Sequence, residues 1–211
     1  MVRFTLFGIQ VEIQPWFWIT LAFLGGVTTA KTPESFLGVL LFILAGCISI
    51  LVHEFGHALT GRHFGAQTAI TLHAFGGFAS FPAGRFTRVQ DFLVTAAGPA
   101  IQLLLGGIFA VILGFTIGKI PPMLELFVKH MIWVSIVWAI LNLIPVLPMD
   151  GGRLMASILG PGKHQLTLQI SMGIAITAAL VLYQLTHSFL FPLFLGLMAY
   201  QNWQQLQSYR R

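Results

Sequence analysis

The feature that most constrains this chain is where its charges are missing. Asp, Glu, Lys and Arg are absent from residues 13–30, 35–53, 92–118, 130–149 and 164–209. A helix needs about 20 apolar residues to cross the hydrocarbon core of a bilayer. Four of the stretches are of that order, and the last is long enough for two crossings and a turn near His187-Ser188. Only 8% of the 211 residues are charged, against 56% hydrophobic. A soluble domain of this size would carry about 53 charges, so a water-soluble fold is excluded. Disorder is excluded as well, because it requires low hydrophobicity. The lone Cys47 rules out an internal disulfide framework. The basic residues stand singly and form no stripe for nucleic acid.

These constraints predict an all-α polytopic membrane protein, a single membrane-embedded domain over residues 1–211. Six spans are expected at about 15–31, 36–60, 91–118, 127–147, 165–185 and 188–206. Two segments carry a different pattern. In the first fourteen residues Ile9, Val11 and Ile13 alternate with Gln10, Glu12 and Gln14 after a turn at Gly8, the period of a half-buried strand. This segment lacks the apolar run and small-residue cleavage site of a signal peptide. Residues 64–90 include a charge-free stretch rich in Gly, Thr, Ser and Ala. With a strand at Thr68–Leu72 and a turn at Gly76-Gly77, they read as a β-hairpin or re-entrant loop at the membrane interface.

Positive charge sets orientation. With the amino terminus inside, Arg3, Arg62, Arg85, Arg88, Arg153, Lys163, Arg210 and Arg211 face the cytoplasm. Lys31, Lys119 and Lys129 lie outside. Both termini are therefore expected on the cytoplasmic side of the plasma (inner) membrane.

An ionisable group within a membrane span is costly and marks function by default. The second span ends in His53-Glu54-Phe55-Gly56-His57. Positions i and i+4 share a helix face, so both histidines can direct a nitrogen at one metal. Glu54 is rotated about 100° from His53 and about 60° from His57. That places it beside a metal, where a general base can take a proton from water. A hydrolytic zinc needs three protein ligands and an open position. Asp150 is the remaining intramembrane acid, in a segment where Pro145 and Pro148 must break the fourth helix and Gly151-Gly152 let the chain turn. Broken backbone at membrane depth is tolerated where it is buried in protein or lines a wet cavity, a fitting place for a third ligand. Asp150 could also cap a helix over 151–159, and the two roles are compatible.

His53-Glu54-x-x-His57, followed in a later span by Asn142-x-x-Pro145-x-x-Pro148-x-Asp150-Gly151-Gly152-Arg153, resembles the site-2 protease family of intramembrane zinc metalloproteases. The resemblance extends to the amino-terminal alternating segment, the Gly76-Gly77 hairpin and Gly98-Pro99 at the start of the third span. It implies one Zn2+ per chain held by His53, His57 and Asp150, with Glu54 as the catalytic acid/base, in a core of the second to fourth spans. It also implies that substrates are transmembrane segments of other membrane proteins, with a separate regulatory membrane protein as a further class of partner. Members of the family often carry Asn a few residues after the Gly-Pro, where this chain has Gln102. No appended PDZ or CBS domain is expected.

Cutting a helix in lipid requires local unwinding, which strands polar groups at several kcal/mol each. A strand edge in the 67–82 hairpin, around Gly76 and Gly77, can supply replacement hydrogen bonds by β-augmentation. The other reading of this hairpin is a re-entrant plug. Asn142, eight residues before Asp150, would share its face if the helix continued, and so could support the substrate backbone or an oxyanion. An interhelical hydrogen bond is its alternative. His73 in the hairpin reads as a surface or packing residue. The rival functions are a zinc-binding membrane transporter or sensor and a catalytically silent scaffold. The distribution of polar groups disfavours the first and the intact Glu54 the second.

Overall fold

The computed structural model describes residues 1–81, 86–187 and 189–209. In chain order the elements are β1 (Val2–Leu6), β2 (Ile9–Ile13), α1 (Pro15–Leu24), α2 (Pro33–His63), β3 (Ala69–His73), β4 (Gly76–Ser80), α3 (Arg88–Thr116), α4 (Pro122–Asn142), α5 (Asp150–Leu159), a 3-10 turn (Pro161–Lys163), α6 (His164–Thr186) and α7 (Leu190–Ser208). Most of the chain is helical, and four helical segments are long and apolar enough to cross a membrane: α2, α3, α4 and Pro161–Thr186. The protein is integral to a membrane.

The other two expected spans differ from that reading for local reasons. The first stops as a helix at Leu24, because the chain turns through Gly25–Thr29. Its ten residues measure about 15 Å, half of a hydrocarbon core. The last, α7, is long enough, but Gln201, Asn202, Gln204, Gln205 and Gln207 dilute its second half. At α2, Pro33 occupies the first helical turn and Thr32 forms a capping box with Ser35, whose backbone N–H donates to Thr32 Oγ1 at 3.2 Å. The fourth helix ends at Asn142, three residues before Pro145, as its two prolines require.

The chain divides into two compact units, Met1–Phe86 with Ala96–Ile140, and Thr87–Thr95 with Leu141–Arg211. In the first, the two regions read as strands join in one sheet of order β1-β2-β3-β4. β1 and β2 pair antiparallel around Phe7-Gly8, β2 runs parallel to β3 with Ile13 opposite Leu72, and β3 and β4 pair antiparallel. Ile9, Val11 and Ile13 are buried with Phe17, Leu21 and Ile50 in the core of this unit. Gly76 and Gly77 are not the turn but the first residues of β4; the turn is Ala74-Phe75. His73 closes that turn, its Nδ1 accepting from the Phe75 backbone N–H at 3.2 Å. Residues 82–85 of the expected loop lie outside the described residues, as do Arg85, Arg210 and Arg211 of the topology count.

In the second unit, the irregular segment 143–149 packs Val146 and Met149 into a buried cluster with residues of α6 and α7. Leu147 donates its N–H to Ser171 Oγ at 3.2 Å, and its carbonyl accepts from Asn202 Nδ2 at 2.8 Å. Two side chains from separate helices thus satisfy a backbone unit that no helix satisfies, the condition for irregular backbone at membrane depth. At the other end of α5, Arg88 Nε and Nη2 donate to the carbonyls of Ser157 and Ile158. Ser157 Oγ donates to Asp91 at 2.6 Å. Asn202→Leu should remove the Leu147 partner and lower stability to unfolding in detergent micelles by about 1–2 kcal/mol. An unchanged unfolding midpoint would show that Leu147 does not depend on it.

Candidate metal centre

The local fold of α2 does what the His53-x-x-x-His57 spacing predicts. The two rings meet edge to face with centroids 4.7 Å apart, and their Nε2 atoms are 3.0 Å apart. His53 and His57 are 3% and 4% exposed. The second nitrogen of His53 is engaged as well: Nδ1 lies 2.8 Å from Gln102 Oε1 on α3. An amide oxygen only accepts, so Nδ1 carries the proton and Nε2 keeps a lone pair for a metal.

His57 is set by α3 itself. A Cβ on Gly98 would overlap the His57 imidazole at Nε2 and Cε1, so only glycine lets the α3 backbone lie this close. Glu54 is 4% exposed, and its other boundary is the hairpin. A Cβ on Gly77 would come within 2.6 Å of Glu54 Cγ and 2.8 Å of Cδ. The backbone of β4 therefore rests on the glutamate side chain. Gly76 packs instead against the Trp138 ring of α4, 3.1 Å from its own Cβ position.

Asp150 and Asn142 belong to the second unit. Asp150 is buried in the first turn of α5, where the helix dipole favours its negative charge. It is not the cap, since Met149 holds that position without a side-chain bond. Gly151 and Gly152 lie within α5 rather than in a turn. A Cβ on either would strike the backbone of Leu143 or of Val146-Leu147, so the pair lets the helix start directly on the irregular segment. Asn142 is half-buried at the last position of α4. Because seven residues without α-helix separate it from Asp150, the helical-face relation expected between them does not exist.

In the first unit His53 and His57 offer buried imidazole nitrogens, and in the second Asp150 offers a buried carboxylate. Two imidazole nitrogens and a carboxylate oxygen are a donor set suited to zinc. The convergent Nε2 atoms, buried away from water, fit such an ion. Sequence reasoning left the role of Gln102 open and did not find the contacts of Gly98. The signals available were the Gly98-Pro99 pair and a glutamine inside an apolar span.

Residues 121–184 match the model of peptidase family M50. Over 190 residues the chain is 33% identical to sll0528 of Synechocystis sp., named as a zinc metalloprotease, covering 82% of this chain and 47% of that protein. It is 26% identical over 184 residues to the zinc metalloprotease MJ0392 of Methanocaldococcus jannaschii, covering 85% of this chain and 51% of that one. The chain thus spans about half the length of these relatives. Its fold is that of the site-2 protease from Methanocaldococcus jannaschii, with a TM-score of 0.65, 22% identity and coverage of 97% of this chain and 94% of that one. The matched family model and the shared fold agree: the chain is similar to peptidase family M50 over residues 121–184 and has the fold of a site-2 protease.

Proposed function

We propose that the protein is an intramembrane zinc endopeptidase that hydrolyses peptide bonds within or near the transmembrane segments of other membrane proteins. The observation that carries this reading is the buried pair of imidazoles, Nε2 to Nε2 at 3.0 Å, with a buried glutamate beside them. His53, His57 and Asp150 are the proposed ligands. When bound, zinc would supply a Lewis acid that polarises the scissile carbonyl and lowers the pKa of water.

The remaining chemistry belongs to the chain. Glu54 accepts a proton as the water oxygen bonds to the carbonyl carbon, then returns it to the leaving amine nitrogen as the C–N bond breaks. Asn142 is the proposed amide support for the substrate backbone or the developing oxyanion. β4 pairs with β3 on one side only among the described residues. Its other edge, beginning at Gly76 and Gly77, is proposed to receive the unwound substrate as an added strand. Because the Gly77 backbone rests on Glu54, a strand laid along β4 would run beside the acid/base.

The proposed topology has six membrane segments, in one functional domain over 1–211, with both termini cytoplasmic in the plasma membrane. Parity supports the first crossing. β2 and β3 share a sheet, so the chain between them returns to the side it left. α2 crosses once, so residues 15–31 must cross too, as a short helix and a turn. Membrane-protein substrates are implied by the family in general. A separate membrane regulator is a proposed further partner.

Glu54→Gln should lower cleavage by about 10²–10⁴-fold while zinc stays bound. Membrane proteomics should then show intact spans accumulating in the mutant, and cleavage at the wild-type rate would reject the mechanism. Gly98→Ala keeps helix propensity but pushes on His57, so zinc affinity should fall about 10–100-fold, read by metal analysis against unchanged circular dichroism. Gly77→Ala displaces Glu54 rather than a ligand. Turnover should drop about 10²-fold at full zinc occupancy; loss of the metal instead would contradict that division of roles.

A further inference from the structure

We propose that Gln102 is a positioning residue of the metal centre, whose uncharged amide orients His53 while leaving a bound cation more electrophilic than a carboxylate partner would. The inference rests on the ligand set proposed above and extends it to a residue outside that set.

The geometry fixes the orientation of the amide. Gln102 lies on α3 and is fully buried. Its Nε2 donates to Ser49 Oγ at 2.9 Å and lies 3.5 Å from the Ser49 carbonyl oxygen. That carbonyl can only accept, so the nitrogen must face it and Oε1 must face His53 Nδ1, 2.8 Å away. Ser49 in turn sits one helical turn before His53 on α2, with its Oγ 2.9 Å from Ser135 Oγ on α4. One polar chain thus runs from α4 through α2 and α3 and terminates on the His53 ring. Ser49, Gln102 and Ser135 are each 0% exposed. Apolar side chains would pack three apolar helices together without the need to pair every polar atom. The polar chain gains its purpose from the imidazole at its end.

The choice of an amide has an electrostatic consequence. A dication held by two neutral imidazoles and one carboxylate keeps one net positive charge. A carboxylate at position 102 would pull on the Nδ1 proton, raise the basicity of His53 and neutralise that charge. An amide holds the ring equally well and leaves the charge for a substrate carbonyl.

The test is zinc affinity of the purified full chain in detergent, by chelator competition, for wild type, Gln102→Met, Gln102→Glu and Ser135→Ala. Unfolding of each metal-free protein is measured in parallel. Gln102→Met should bind zinc about 10–100-fold more weakly, and a loss of less than tenfold would overturn the proposal. Gln102→Glu, which keeps the acceptor and adds charge, should bind more tightly than wild type; equal or weaker binding would overturn it, and this arm decides alone if Gln102→Met does not fold. Ser135→Ala loosens the far end of the same chain and should lower stability while leaving affinity within about threefold. If it weakens zinc as much as Gln102→Met does, the chain is a packing device and the proposal fails. The absorption spectrum of the cobalt-substituted protein should change with Gln102→Met and be restored by Gln102→Glu; identical spectra for wild type and Gln102→Met would overturn it. A wild-type protein that binds no zinc rejects the underlying ligand set, an outcome separate from normal wild-type binding with an indifferent Gln102.

Discussion

Everything in this structure answers to the scarcity of water at membrane depth. A polar group there must find its partner within the protein, so polar residues cannot be scattered and are spent in connected sets. The first unit carries one such set, from Ser135 through Ser49 and Gln102 to His53. The second carries another, in which Ser171 and Asn202 complete the backbone of Leu147. Each ends beside a residue of the proposed centre, His53 in one and the segment leading to Asp150 in the other. The same economy that keeps the spans free of charge therefore concentrates order around the few charges that remain.

Close approach of backbone to side chain is the second device. Gly98 brings α3 against His57, and Gly77 brings β4 against Glu54. In both places the wall of the site is main chain rather than side chain. Main chain has no rotamers to rearrange and presents N–H and C=O groups at fixed spacing. Such walls hold a reactive side chain in one geometry.

The sequence made local geometry more legible than long-range architecture. Charge-free stretches located α2, α3 and α6 within about three residues at each end, while the fourth span was expected five residues too late and α4 ends at Asn142. The pairing of His53 with His57 was readable because helical spacing alone brings i and i+4 together. Pro145 and Pro148 marked the end of α4 for an equally local reason. The joining of residues 9–13 to 69–72 was not readable, since parallel pairing across two helices leaves no local trace. Gly76-Gly77 looked like a turn because glycine signals both turns and close approaches, and here Glu54 and Trp138 demand the second. The face relation between Asn142 and Asp150 failed because it assumed a helix that the same prolines terminate. Gln102 stood out as polar in an apolar span, yet its partner on another helix could be found only in three dimensions.

The parallel pairing of β2 with β3 also fixes an order of assembly. The β1-β2 hairpin is made before the neighbour of its inner strand, which is encoded more than fifty residues later, beyond α1 and α2. Until those helices are in place, Ile9, Val11 and Ile13 have no sheet to complete. β4 has no foundation until β3 has docked, so the wall that rests on Glu54 comes after the helix that carries Glu54. A nascent chain holding only α1 and α2 has both histidines and the glutamate in sequence but lacks that wall. The strand that walls Glu54 is thus the last part of the sheet to find its place.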